Sequence, residues 1–381
     1  MYKLSIIIPT KNRQFYCKEA IEQILSLNLK STQLVIQDNS DTNELFDYIV
    51  KLNNEKIKYN YHPGILSFVD NFSEAVSLAD GEYICMIGDD DGVLPFIEDI
   101  VDKFTKQGNC DAIIPGLNSV YCWPSSQPIF KKAEDGFLCV SFVNKKFKKV
   151  NPKDGLKLLL RRGGMDYQEC LIPRLYHGIV RRQILEDIKE VTGKYFGGLT
   201  PDIYMAVSLA LVCRDVFSIG FPVTVSGICP RSGSSDSATG RHTGKLEDAP
   251  HFRGHTNYKW DKTVPEIYSV ETIWGETVLQ ALNDFKEKDR HKQFSIKYLD
   301  SLCYLKYPQF RDDIIAHAKA HKIGKFKMKM IAFRLKICPL ILKYVKRVFR
   351  HKGSVVKYYG VADITEAGKL TADITKKKIN I

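Results

Sequence analysis

The sequence predicts an α/β protein on a mainly parallel, doubly wound sheet, with a helical C-terminal extension. Three observations carry that prediction. Apolar, β-branched runs alternate with stretches of helical spacing through the first hundred residues. Acidic residues follow two of those runs directly, at Asp38 and at Asp89, Asp90 and Asp91, the strand ends where ligands bind in such sheets. The last third has helical spacing and carries the net positive charge.

Each element follows from its own residues. Leu4 to Ile8 is a buried strand, Phe15 to Leu27 a helix through Ala20, Ile21, Ile24 and Leu25, and Gln33 to Gln37 a strand ending at Asp38. Leu45 to Leu52 is helical, Ile57 to Tyr61 extended, Phe68 to Ala79 helical, and Tyr83 to Ile87 a strand running into Gly88 and the three aspartates. Alternation of this kind implies right-handed crossovers and parallel neighbours. Ile113 and Ile114 end a further strand, whereas residues 117–150 show no clear period. Asp154 to Arg162 and Arg182 to Lys189 read as helices, and Pro201 to Leu211 as another with Pro201 in its first turn. Cys229 to Asn257 reads as a long Gly/Ser-rich loop, Val264 to Lys286 and Gln293 to Leu305 as helices.

Composition excludes several classes. At 381 residues, 44% hydrophobic and 26% charged, the chain suits about two soluble domains, not a disordered or polytopic membrane protein. The formal charge is +12, and Ile314 to Ala362 holds thirteen Lys and Arg with no Asp or Glu. Ten scattered cysteines without a CxxC pair fit reduced thiols and a cytoplasmic setting. The N-terminal apolar run stops at Pro9, as a strand would and a secretory leader would not. No window reaches the roughly 20 uncharged residues a bilayer span needs. No GxGxxG or GxxxxGK[ST] follows the first strand, which disfavours nicotinamide and P-loop chemistry.

Three adjacent carboxylates repel one another, and a hard divalent cation such as Mg²⁺ or Mn²⁺ relieves that repulsion. A solvated acidic turn capping the next helix accounts for the same triplet. Asp38 could accept a hydrogen bond from a nucleobase or close an Asx turn. Asp202 sits at a helix N-terminus, where the dipole favours an anion irrespective of catalysis.

The strings SIIIPTKNR, VIQDNSDTN, GEYICMIGDDDGVLP, YHGIVRRQILEDI and GGLTPDIYMAVSLAL, in that order, resemble the family 2 glycosyltransferases of the GT-A fold, over roughly Lys3 to Ser235. The resemblance implies that Pro9, Thr10 and Arg13 lie beside the nucleotide and that Asp38 contacts its base, usually uracil. It aligns Asp90 with the metal-binding aspartate of the Asp-x-Asp motif, followed by Asp91, and places Asp89 at the variable position. Gly88 departs from the pattern, standing where the family carries the first acid. Asp202 falls at the catalytic base, with Pro201 where the family commonly has Glu. Arg231 belongs to the donor set, in a Gly/Ser-rich loop that also holds Arg241, His242, His251, Arg253 and His255 and could close over a diphosphate.

The resemblance thus implies an inverting, Mn²⁺- or Mg²⁺-dependent transferase using a UDP-sugar or similar donor, with a lipid-linked surface glycan as acceptor. A transferase that charges a lipid phosphate, and a silent nucleotide- or membrane-binding scaffold, are the rivals. The expected organisation is a catalytic domain over 1–235, a loop or lid over 236–257, helices over 258–313, a basic amphipathic segment over 314–362 and a tail over 363–381. Met330, Phe333, Ile337, Ile341, Tyr344 and Val348 form a stripe among cations, with Pro339 expected to kink it, so this segment is expected to lean on an anionic membrane at its inner face. No motif for nucleic acid accompanies it, and self-association stays open.

Overall fold

The structure is a computed structural model and describes residues 2–106, 108–124, 136–230, 243–246, 249–252, 258–348 and 355–379. Its centre is β1 (Leu4–Thr10), buried along its whole length because neighbours cover both faces. After α1 (Gln14–Ser26) come β2 (Thr32–Asp38), α2 (Glu44–Leu52), β3 (Ile57–Tyr61), α3 (Phe68–Ser77) and β4 (Tyr83–Met86). β1 pairs in parallel with β2 and β4, and β2 with β3. Side chains alternate between faces with the pleat: Ile6 and Ile8 join the core containing α1 residues Ala20 and Ile21, while Ile7 joins the opposite core with Val69 and Ala75 of α3.

Beyond Gly88 the chain forms β5 (Gly92–Val93), α4 (Ile97–Lys106), β6 (Ala112–Ile114), β7 (Ser119–Cys122), β8 (Phe137–Ser141), β9 (Phe147–Val150) and α5 (Pro152–Arg161). Then follow β10 (Ile179–Arg181), α6 (Arg182–Thr192), α7 (Pro201–Val212), β11 (Val216–Ile219) and β12 (Thr224–Ile228). The main sheet runs β3-β2-β1-β4-β10-β6-β11-β9 among the described residues. The expected doubly wound sheet is present, with one addition: the short β10 inserts antiparallel between β4 and β6. That insertion carries the Tyr176–His177 corner to the carboxyl end of β4, where Met86 N donates to Leu175 O and His177 N to Met86 O.

The C-terminal third is helical, as expected, over Val270–Asp284, Ile296–Lys306, Arg311–Ala320 and Lys325–Val348. The first of these starts six residues later than its apolar spacing suggests, because Ser269 and Thr272 form a capping box there. Lys325–Val348 is assigned as one helix through Pro339. The end of the expected basic segment over 314–362 and the expected tail over 363–381 both lie against the body. Val355–Tyr359 pairs antiparallel with β8, in a second sheet with β7, β12 and β5, and Ile364–Ile379 packs on α1, β5 and β12. Among the described residues no helix is long and apolar enough to cross a membrane.

Candidate active site

Parallel register brings Thr10 opposite Asp38, and Ile7 opposite Met86, so the loops after β1, β2 and β4 share one edge. They are knitted together there. Asn39 N donates to Thr10 O at 3.0 Å, and Asn12 N to Ser40 Oγ at 2.8 Å. Thr10 Oγ1 donates to Asp89 Oδ2 at 2.6 Å, and Arg13 reaches the same carboxylate through Nε at 3.1 Å and Nη2 at 2.6 Å. Arg13 Nη1 lies 3.7 Å from Asp90 Oδ1. Thus Thr10, Arg13, Asp89 and Asp90 meet at this edge, with Pro9 one residue before Thr10 on β1.

Burial pushes the Asp89 carboxyl up to about 7 despite the opposing pull of Arg13, and raises Asp90 and Asp91 in the same direction. A cation at this edge would favour their ionised forms. The donor set decides which carboxylate fits one. Asp90 Oδ2 accepts from Cys229 N at 3.0 Å, and Oδ1 lies 3.7 Å from Arg13 Nη1. Asp90 therefore fits a metal whose shell is completed by phosphate oxygens and water.

Asp91, expected beside Asp90 as a ligand, has donors on both oxygens and fits a metal less well than Asp90. Its Oδ1 accepts from Gly227 N at 2.6 Å; its Oδ2 accepts from Gly88 N at 2.6 Å and Tyr176 Oη at 2.8 Å, with His177 Nε2 3.3 Å away. It is a brace that ties the β4 loop to β12 and the Tyr176–His177 corner. His177 is buried, its Nδ1 2.9 Å from Thr224 Oγ1, and burial lowers its pKa to about 3, so it is a neutral brace partner. Gly227 is obligatory here, since a Cβ would lie 1.8 Å from Asp90 O.

Asp38 is fully closed to solvent, with Oδ1 accepting from Ser40 N at 2.8 Å and Oδ2 from Tyr59 Oη at 3.0 Å. These contacts close an Asx turn after β2. Asp202 lies in the first turn of α7 and accepts from Tyr167 Oη at 3.1 Å. Burial raises its pKa, while backbone and Tyr167 donors oppose the rise. Asp202 has no direct hydrogen bond to the aspartate cluster among the described residues. Arg231 and His242, with Arg241, Arg253 and His255, lie outside the described residues.

A groove of about 680 Å³ runs along the outer side of α3, lined by Asp70, Glu74, Lys194, Tyr195, Phe196 and Gln280 among others. None of the aspartates above lines it, but α3 connects it to the site, since Asn71 Nδ2 donates to Thr10 O at 3.4 Å. Tyr167, Tyr176, His177, Gly227 and Cys229 are the residues whose roles sequence reasoning missed. Tyr176 and His177 stood inside the YHGIVRR string, yet nothing local marks them as partners of Asp91.

Comparison with known proteins agrees with this geometry. Residues 5–150 match the model for Glycosyl transferase family 2. WcaA of Escherichia coli K12, a glycosyl transferase named for colanic acid biosynthesis, is 30% identical over 140 residues, 34% of this chain and 49% of the relative. The GalNAc(5)-diNAcBac-PP-undecaprenol beta-1,3-glucosyltransferase of Campylobacter jejuni is 30% identical over 100 residues, 25% of this chain and 31% of the relative. The chain thus spans half or less of the length of these curated relatives. The crystal structure of S. aureus TarS 1-349 in complex with UDP-GlcNAc has a TM-score of 0.49 at 13% identity, over 85% of this chain and 93% of that one. With the α/β sheet and the aspartate-bearing strand edge in place, the likeness to Glycosyl transferase family 2 falls on residues 5–150, the part that builds that edge.

Proposed function

We propose that this chain is an inverting, metal-dependent glycosyltransferase that moves a sugar from a nucleotide-sugar, of UDP type, to a hydroxyl of a lipid-linked glycan. The observation that carries the reading is Asp90, buried at the carboxyl edge of β4 with its Oδ1 3.7 Å from Arg13 Nη1, beside Thr10, Arg13 and Asp89. Asp90 would hold Mn²⁺ or Mg²⁺, which supplies Lewis-acid neutralisation of the departing diphosphate. Thr10 and Arg13 fix the Asp89 carboxylate and close the donor side. Asp202 takes the proton from the acceptor hydroxyl, and Tyr167 holds its carboxylate. Attack from the face opposite the diphosphate inverts the anomeric centre. The acceptor class rests on the Campylobacter relative, whose name specifies an undecaprenol diphosphate glycan. Such an acceptor places the protein at the inner face of the cell membrane, on the cytoplasmic side.

One observation favours a second reading, a nucleotide-binding scaffold without transfer: Gly88 replaces an acid, and Arg13 already balances part of the aspartate charge. Calorimetry of UDP with and without Mn²⁺, on the native chain, Asp90→Ala and Asp202→Asn, separates the two. Transfer requires metal-dependent UDP affinity that Asp90→Ala abolishes. Asp202→Asn should retain that affinity while donor turnover falls roughly 10²–10⁴-fold. UDP affinity indifferent to Mn²⁺, or turnover unaffected in Asp202→Asn, refutes the proposal.

A further inference from the structure

We propose that the first turns of the Lys325–Val348 helix dock on an anionic lipid bilayer through Phe326, Met330 and Phe333. This deepens the membrane contact of the proposed function by assigning its face, and it is independent of which sugar is moved.

The helix has two unlike sides. Met328 and Ala332 are 0% and 4% exposed, on the side that packs against the Ile296–Lys306 and Arg311–Ala320 helices. Phe326, Met330 and Phe333 are 79%, 55% and 67% exposed. At about 100° per residue these three and Ile337 fall within an arc of about 60°, away from Met328 and Ala332. Lys327 and Arg334 occupy one shoulder of the arc, and Lys325, Lys329 and Lys336 the other, each roughly 70–110° from its middle. The stripe expected from sequence therefore extends one turn further towards the N-terminus, to Phe326.

An apolar centre between two rows of cations suits the bilayer interface. The rings enter the acyl boundary while Lys and Arg stems lie along it and their charges meet lipid phosphates. A nucleic acid would engage the cations and leave three large apolar side chains in water. No Asp or Glu occurs from Ile314 to Ala362, so a second copy of this face would meet only like charge. The inner face is clamped, so the helix cannot roll. After it the chain returns to the body as the Val355–Tyr359 strand and the Ile364–Ile379 helix, which packs on β5 just beyond Asp91. Docking at this face therefore fixes the orientation of the aspartate edge to the membrane.

Co-sedimentation of the full chain with vesicles of phosphatidylcholine alone, or mixed with phosphatidylglycerol, tests this. The native protein should bind only the mixed vesicles. Phe326→Ser/Phe333→Ser should bind them roughly tenfold or more weakly, with an unchanged urea midpoint because both side chains are exposed. Phe333→Trp keeps the face apolar and should show blue-shifted emission when the mixed vesicles are added. Native binding to neither vesicle, undiminished binding of the double variant, or pull-down without a shift in Phe333→Trp would overturn the proposal. So would a native dimer that the double variant dissociates in the absence of any vesicle binding. Donor hydrolysis without vesicles reports the transfer reading separately: its absence beside intact, Phe-dependent vesicle binding sinks transfer and supports docking.

Discussion

Arg13→Met should destabilise the protein, and by more at pH 8 than at pH 5. The guanidinium contacts both oxygens of the fully buried Asp89, at 2.6 and 3.1 Å, and removing one partner of a buried pair strands the other. Asp89 stands at about 7 in the folded protein against an ordinary 3.8, through burial. A raised carboxyl binds its proton more tightly when folded, so its contribution to stability is fully present below about pH 4, declines as pH rises and levels off above 7. Arg13 opposes that rise, so without it the folded value climbs further and the decline continues to higher pH. At pH 5 Asp89 is protonated with or without Arg13, and only the lost hydrogen bonds count, about 1–3 kcal/mol. Urea unfolding at the two pH values should therefore give a loss of about 1–3 kcal/mol at pH 5 and a larger loss at pH 8. Equal losses at both would show that Arg13 does not hold the Asp89 charge, and the electrostatic account of this edge would be wrong.

Other perturbations probe the remaining contacts. Tyr167→Phe removes one of the donors that oppose the rise of Asp202, so the acid limb of the transfer rate should move to higher pH; an unmoved limb argues against Asp202 as the base. Gly227→Ala drives a Cβ to 1.8 Å from Asp90 O and should cost about 2–4 kcal/mol by thermal or urea unfolding, together with metal-dependent UDP affinity; native-like melting would refute the close approach. Deleting residues 355–381 removes a strand paired along the whole of β8 and a helix whose Ile364, Ala367 and Thr371 are buried. The truncated chain should be insoluble or lack a cooperative transition, and a soluble monomer with a native melting curve would contradict that packing.

The first hundred residues were legible because each element carries its own period: Leu4 to Ile8 is a continuous apolar run between two covered faces, and Ile21 and Ile24 repeat with the helix. The convergence of Thr10, Arg13 and the aspartates followed from that, since parallel strands deliver their ends to one edge. What stayed hidden depends on partners far away in sequence. β10 has three residues, too few for a period, and its antiparallel insertion is set by β4 and β6 on either side. Val355–Tyr359 follows a long basic helix, and nothing in its five residues names β8 as its partner. The same holds for Asp91. Its spacing matches a ligand, and only Gly227, Tyr176 and His177, all distant in sequence, reveal a brace.

Gly88, the departure from the family pattern, has a cause in this same brace. A Cβ at that position would meet Tyr176 Oη at 2.8 Å and Asp91 Oδ2 at 3.0 Å, so an acid at 88 and the Tyr176–Asp91 contact compete for one space. The negative charge lost at 88 is replaced from the next position, where Thr10 and Arg13 draw Asp89 into the edge. With Asp89, Asp90 and Asp91 ionised and Arg13 charged, the loop carries two net negative charges, which a divalent cation neutralises. A neutralised edge no longer repels the charge that builds on a departing diphosphate. The substitution at 88 therefore relocates an acidic function within the loop, and that is why it weighs less against transfer than its place in the motif suggests.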